Sequence, residues 1–83
     1  MRNGVRIDVR YFALLRDERG LAEESLESAA ATPLALYHEL RVRHGFSLPS
    51  ERLLVAIDDA FAAWDQKLVD GDTVVFLPPV AGG

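Results

Sequence analysis

The sequence predicts an α+β domain, with one main helix packed on a small mixed sheet. Three observations carry that expectation. The segments Val5 to Tyr11 and Thr73 to Leu77 are rich in β-branched and aromatic residues, and the first alternates apolar and polar positions as a half-buried strand does. Between them, the stretch opening at Thr32-Pro33 carries apolar residues at helical spacing. The chain has 83 residues, and a domain of that size buries only about 60–65% of the surface its unfolded form exposes. Residues 1–83 are therefore expected to form a single domain with one modest core and little room for a deep pocket.

Each element follows in order. Val5, Ile7, Val9 and Tyr11 alternate with Arg6, Asp8, Arg10 and Phe12, giving a strand with one apolar face. Arg16 to Gly20 is charged and ends in glycine, which predicts a turn. Glu23 to Ser28 alternates weakly and predicts a short edge strand. Thr32 can cap a helix whose first position is Pro33, with Leu36 and Leu40 on one face and Leu34 and Tyr37 flanking it. Arg41, Arg43 and His44 suit the negative end of the helix dipole, and Gly45 suits the left-handed cap. Leu53 to Ile57 predicts a buried strand, Asp58-Asp59 a tight turn, and Ala60 to Trp64 a weak return strand. Asp70-Gly71-Asp72 is a turn signal before the strand Thr73 to Leu77, which Pro78-Pro79 stops, because proline donates no ladder hydrogen bond. The first and last strands are the most apolar and are expected in the middle of the sheet.

Composition removes several function classes. Nine basic against thirteen acidic residues give a net charge of −4, which disfavours nucleic acid, whose binding needs clustered Lys and Arg. There is no cysteine, hence no disulfide, thiol nucleophile or thiolate zinc ligand. Arg2, Arg6, Arg10 and Arg16 interrupt the apolar residues that a signal peptide would need in one run. No stretch approaches the roughly 18 apolar residues of a membrane span. The expectation is a soluble, cytoplasmic protein with no bound metal or cofactor: His38 and His44 stand about 240° apart around a helix, and the aspartates fit no calcium loop.

The final residues Pro78-Pro79-Val80-Ala81-Gly82-Gly83 concentrate the chemistry. Two prolines stiffen the exit from the sheet. Six extended residues reach at most about 20 Å, and beyond Val80 the side chains shrink to a methyl and then to nothing. Such a tail can thread a narrow channel and carry the carboxylate of Gly83 into another protein. A carboxylate is ionised at neutral pH and is a poor electrophile. Adenylation would give it a leaving group, yet no phosphate-binding glycine loop occurs in this chain, so a separate enzyme would bind the ATP. Attack of a persulfide or sulfide on the acyl-adenylate would leave a thiocarboxylate.

The segment Leu68 to Gly83 resembles the terminal signature of the molybdopterin synthase small (sulfur carrier) subunit family. Tyr11-Phe12-Ala13, Arg16 and Gly20 resemble that family's N-terminal signature. The resemblance implies the ubiquitin-like β-grasp fold. It also implies that Gly83 is adenylated by an E1-like enzyme, converted to a thiocarboxylate with a sulfur donor protein, and delivered into the active site of the large synthase subunit. Pro78, Pro79, Val80, Ala81 and Gly82 would thread that site. There the sulfur would pass to cyclic pyranopterin monophosphate, making molybdopterin for the molybdenum cofactor. The catalytic machinery would lie in the large subunit, and the assembly would be a heterotetramer. Two departures stand out: Asp58-Asp59 replaces the Asn that often follows this strand, and Ala35 stands where a Glu would complete a capping box on Thr32.

A single helix covers one face of a sheet. Val74 and Phe76 share one face, Val75 and Leu77 the other, so one of these pairs is left on exposed apolar surface of the kind that marks an interface. Phe12, Phe76 and Leu77 are the candidate partner contacts from this pattern, and Arg16 from the resemblance; which face is covered stays open. Rival functions are a sulfur carrier for thiamine or transfer RNA thiolation, with the same chemistry at Gly83, and a ubiquitin-like modifier or binding module. Lys67 is the one lysine, so an isopeptide acceptor would lie on another chain.

Overall fold

The computed structural model describes residues 4–78. Its elements are β1 (Val5–Tyr11), α1 (Leu14–Arg19), β2 (Glu23–Ser28), α2 (Pro33–His44), a 3-10 turn (Ser50–Arg52), β3 (Leu54–Ile57), β4 (Ala60–Phe61) and β5 (Thr73–Leu77). The sheet order is β2-β1-β5-β3-β4. β1 and β5 run parallel; the other pairs are antiparallel. The most apolar strands are thus interior, and the acidic strand β2 is at an edge, where its charges discourage pairing with another chain.

α2 starts and stops where its caps dictate. The Thr32 hydroxyl accepts from the Ala35 N–H at 3.2 Å, and Pro33 occupies the first turn. Gly45 adopts φ 72° and donates its N–H to the Arg41 carbonyl at 2.8 Å, a left-handed stop that costs glycine no Cβ clash. The helix buries Leu36, Tyr37 and Leu40, while Leu34 is 37% exposed. Beneath it lie Ile7, Val9 and Tyr11 of β1, Val55 and Ile57 of β3, and Val74 and Phe76 of β5, all in one cluster. Aromatic rings form its centre: Tyr37 meets Phe76 at 5.1 Å and stacks on Phe46 at 5.9 Å.

Two expectations are corrected. Arg16 lies in a helix, not a turn: α1 is six residues long and closes on Gly20, whose N–H meets the Arg16 carbonyl at 2.8 Å. One apolar anchor, Leu15, fully buried, fastens it to the core, and a single anchor leaves no periodicity to read. The return strand is only Ala60–Phe61. The Ala62 N–H still meets the Val55 carbonyl at 3.0 Å, but Trp64 leaves the sheet and, partly buried, stacks on Phe76 at 6.0 Å.

The Asp70-Gly71-Asp72 turn spends its carboxylates on backbone rather than on a cation. Asp70 Oδ1 accepts from the Arg6 N–H at 2.8 Å and Asp72 Oδ2 from the Val69 N–H at 2.9 Å. These bonds lock the entry of β5 beside β1.

Candidate docking face and tail exit

With the helix on the Phe76 side, alternation assigns every strand residue to a face. Arg10, Val75, Ala56 and Phe61 are successive cross-strand partners, extended to Glu23 on β2. One row toward the strand starts, Ser25, Asp8 and Thr73 are aligned in the same way, and the Thr73 N–H donates to Asp58 Oδ1 at 2.9 Å. One row toward the end of β5, Leu77 faces Leu54, and Phe12 follows β1 in register. The uncovered face is therefore polar at the start of β5 and apolar at its end.

That apolar end is the candidate docking surface. Phe12 is 45% exposed, Leu54 59% and Phe61 74%. A shallow depression of about 280 Å³ is lined by Phe12, Phe61, Val75, Leu77 and Ala56, with Arg10 and Asp59 as its charged members. Pro78 continues directly from this edge. Pro79, Val80, Ala81, Gly82 and Gly83, the expected threading tail and reactive terminus, lie outside the described residues.

The candidate contacts therefore separate. Phe12 and Leu77 meet on the open face. Arg16 is exposed on α1. Phe76 does not join them: its side chain is fully buried between Tyr37 and Trp64, because strand alternation points it at α2, and no surface partner can reach it. Leu54, Phe61 and Asp59 were missed at the sequence level. For Leu54 the signal lay in the alternation of Leu53 to Ile57, readable only once β3 is paired with β5; Phe61 and Asp59 reach this face through the β3–β4 turn and pairing.

A polar quartet braces the same end of the molecule. The Tyr11 hydroxyl donates to Glu24 Oε2 at 2.6 Å, and Arg19 forms a two-pronged pair with Glu24, Nε to Oε2 at 2.9 Å and Nη2 to Oε1 at 2.7 Å. His44 Nε2 lies 3.9 Å from Glu24 Oε2. The quartet ties α1, β1, β2 and the end of α2 together, and Tyr11 is the cross-strand neighbour of Phe76, one residue from Leu77. Hydrogen bonds from the Arg19 guanidinium, helped by Tyr11 and opposed by burial, hold the Glu24 carboxyl down to about 2 from 4.5. Burial first, then Glu24, holds the Tyr11 phenol above its ordinary range. Because the folded pKa of Glu24 is depressed, its contribution to stability is fully present above about pH 4.5 and drains away as pH falls toward 2. The expected loss is on the order of 2–3 kcal/mol. Urea midpoints measured from pH 7 to pH 2.5 should fall across that window, and Glu24→Gln should start lower and lack this step. A parallel acid decline in wild type and variant would remove Glu24 as the cause.

No group of three or more His, Cys, Asp and Glu that could hold a metal occurs among the described residues, and no helix among them is long and apolar enough to cross a membrane.

The model of the ThiS family matches residues 9–83 of this chain. A curated relative, the molybdopterin synthase sulfur carrier subunit of Escherichia coli (strain K12), is 32% identical over 80 residues, covering 93% of this chain and 99% of that protein. Among solved structures, a putative molybdopterin converting factor, subunit 1, from Pyrococcus furiosus superposes with a TM-score of 0.75 at 29% identity, covering 92% of this chain and 99% of that one. The complex of subunits 1 and 2 of molybdopterin-converting factor from Helicobacter pylori contains a chain matching with a TM-score of 0.64 at 26% identity, over 95% of this chain and all of that one.

Proposed function

This chain belongs to the ThiS family and has the ubiquitin-like β-grasp fold, and from that premise we propose that it is the sulfur carrier subunit of a molybdopterin synthase. The observation that carries the proposal is the coincidence, at one end of the sheet, of the exposed apolar face around Phe12 and Leu77 with the exit of β5 into Pro78. A partner seated on that face receives the tail directly. The relatives support the choice of partner, since one bears the sulfur carrier name and another was solved as a complex of the two converting-factor subunits.

The proposed chemistry runs through Gly83. An E1-like enzyme binds ATP; the Gly83 carboxylate attacks its α-phosphorus, pyrophosphate leaves, and an acyl-adenylate forms. Sulfide, or a persulfide on a donor protein with later reductive release, attacks the acyl carbon and expels AMP, leaving a thiocarboxylate. In the large subunit that sulfur attacks an oxygen-bearing carbon of cyclic pyranopterin monophosphate, the carbon–oxygen bond there breaks and its oxygen leaves as water or on the phosphate, and hydrolysis of the acyl–sulfur bond leaves the sulfur on the pterin and returns the carboxylate. The docked face fixes the distance from β5 to the reacting carbon, so positioning rather than acid–base chemistry is this chain's contribution. The proposed setting is cytoplasmic, in a heterotetramer of two large and two small subunits.

The test is the intact mass of the chain after incubation with an E1-like activator, ATP and a sulfur donor. A gain equal to one oxygen replaced by sulfur, absent when Gly83 is removed, is expected. An unchanged mass, with the activator proven on another carrier, would overturn the proposal. Carriage of sulfur with no co-purifying large subunit would redirect it to thiamine or transfer RNA thiolation.

A further inference from the structure

Asp59 stands at the corner of the open face with nothing in the described chain to hold it. It is the second residue of the β3–β4 turn, at φ 71°, after Asp58 at φ 51°. A two-residue hairpin turn with both φ values positive favours asparagine and glycine, glycine above all at the second position. Asp58 repays its unfavourable backbone: its carboxylate accepts from the Thr73 N–H at 2.9 Å, and its own N–H donates to the Thr73 carbonyl at 2.9 Å. The first aspartate therefore clamps the turn to β5. Asp59 makes no hydrogen bond or ion pair among the described residues. It is exposed and lines the apolar depression with Phe12, Phe61 and Leu77. Arg10, the other charge on that depression, faces Glu23 at 3.6 Å. Among the described residues the depression therefore carries one unmatched charge, and it is negative.

We infer that Asp59 is the charge-reading contact of the docking face, receiving a lysine or arginine that flanks the apolar anchor on the large synthase subunit. The inference rests on the docking reading proposed above and adds what that reading leaves open, the sign of the partner's surface opposite the β3–β4 turn. A carboxylate at the rim of an apolar contact raises the encounter rate with a basic partner and penalises an acidic one, and salt screens the effect.

The experiment measures association and dissociation rates of the intact chain with the molybdopterin synthase large subunit of the same organism at low and high ionic strength. Asp59→Asn keeps the size of the side chain and suits the turn. It is expected to slow association roughly 3–10-fold at low salt and to flatten the salt dependence, with a melting temperature equal to or above wild type. Asp58→Asn keeps the acceptor for Thr73 and removes the same unit of charge one residue away, and it is expected to bind nearly as wild type. Wild-type rates for Asp59→Asn at both salt concentrations would overturn the inference, as would equal slowing by both variants, which would reduce the effect to net charge. Phe12→Ala separates the two readings. Weak binding by Phe12→Ala beside unchanged Asp59→Asn sinks this inference alone; wild-type binding by both removes the docking face and the inference with it.

Discussion

Removal of Gly82 and Gly83 is expected to abolish sulfur transfer to the pterin precursor while leaving the fold intact. Every residue of the hydrophobic cluster lies between Ile7 and Phe76, and the last strand ends at Leu77, so the deletion removes no core side chain and no ladder bond of the described sheet. What it removes is the group proposed to become electrophile and then sulfur donor. The measurement is molybdopterin formation by the large subunit, supplied with the activating enzyme and sulfur donor, alongside thermal unfolding of the truncated chain. A finer cut is informative too. Deleting Gly83 alone leaves a carboxylate on Gly82 but draws it back by about 3.5 Å. A misplacement of about 1 Å can cost on the order of a hundredfold in rate, so this variant too should be nearly inactive even if it binds its partner normally. Undiminished product from the double deletion would refute the carrier proposal.

Phe76 and Leu77 are adjacent, yet their variants should fail in opposite ways. Phe76 is fully buried among Tyr37, Trp64 and the facing Val55. Phe76→Ala opens a cavity there and should cost about 3–5 kcal/mol. That is a large share of the total stability of a domain this size, about 4–12 kcal/mol, so part of the population should be unfolded at 37 °C. Leu77 points to the other face, beside Phe12 and Leu54. Leu77→Ala should move the urea midpoint little, at a cost of about 1 kcal/mol or less. Its affinity for the large subunit should fall by about 2 kcal/mol or more, as expected of a central apolar contact. Denaturation and binding measured on both variants check the contrast. Strong destabilisation by Leu77→Ala, or binding unaffected by it, would mean that this face is core or bystander rather than interface.

Local rules made much of the fold legible. Thr32-Pro33 and Gly45 bound α2 in the structure as in the sequence, since capping is settled by the residues that flank a helix and needs no tertiary contact. β1 and β5 were readable because β-branched and aromatic residues repeat at the period of a strand. α1 and the shortness of β4 were not, because each depends on one long-range contact, Leu15 entering the core in the first case and Trp64 stacking on Phe76 in the second.

The candidate site divides along the same line. By itself the sequence determined that the chain has no thiol, that its final residues shed their side chains, and that one apolar face of the sheet would lack a helix, because these follow from composition and alternation alone. Only the tertiary structure decided which face that is. Alternation fixes the residues that lie together, but the side on which α2 packs depends on how the whole sheet pairs, and that pairing puts Phe76 in the core and leaves Phe12, Leu54, Phe61 and Leu77 facing outward. The parallel pairing of β1 with β5 also brings Phe12 and the tail exit to one end of the sheet, although more than sixty residues separate them in the chain. A contact between segments so far apart leaves no local pattern, since the free energy that selects it comes from closing one shared core.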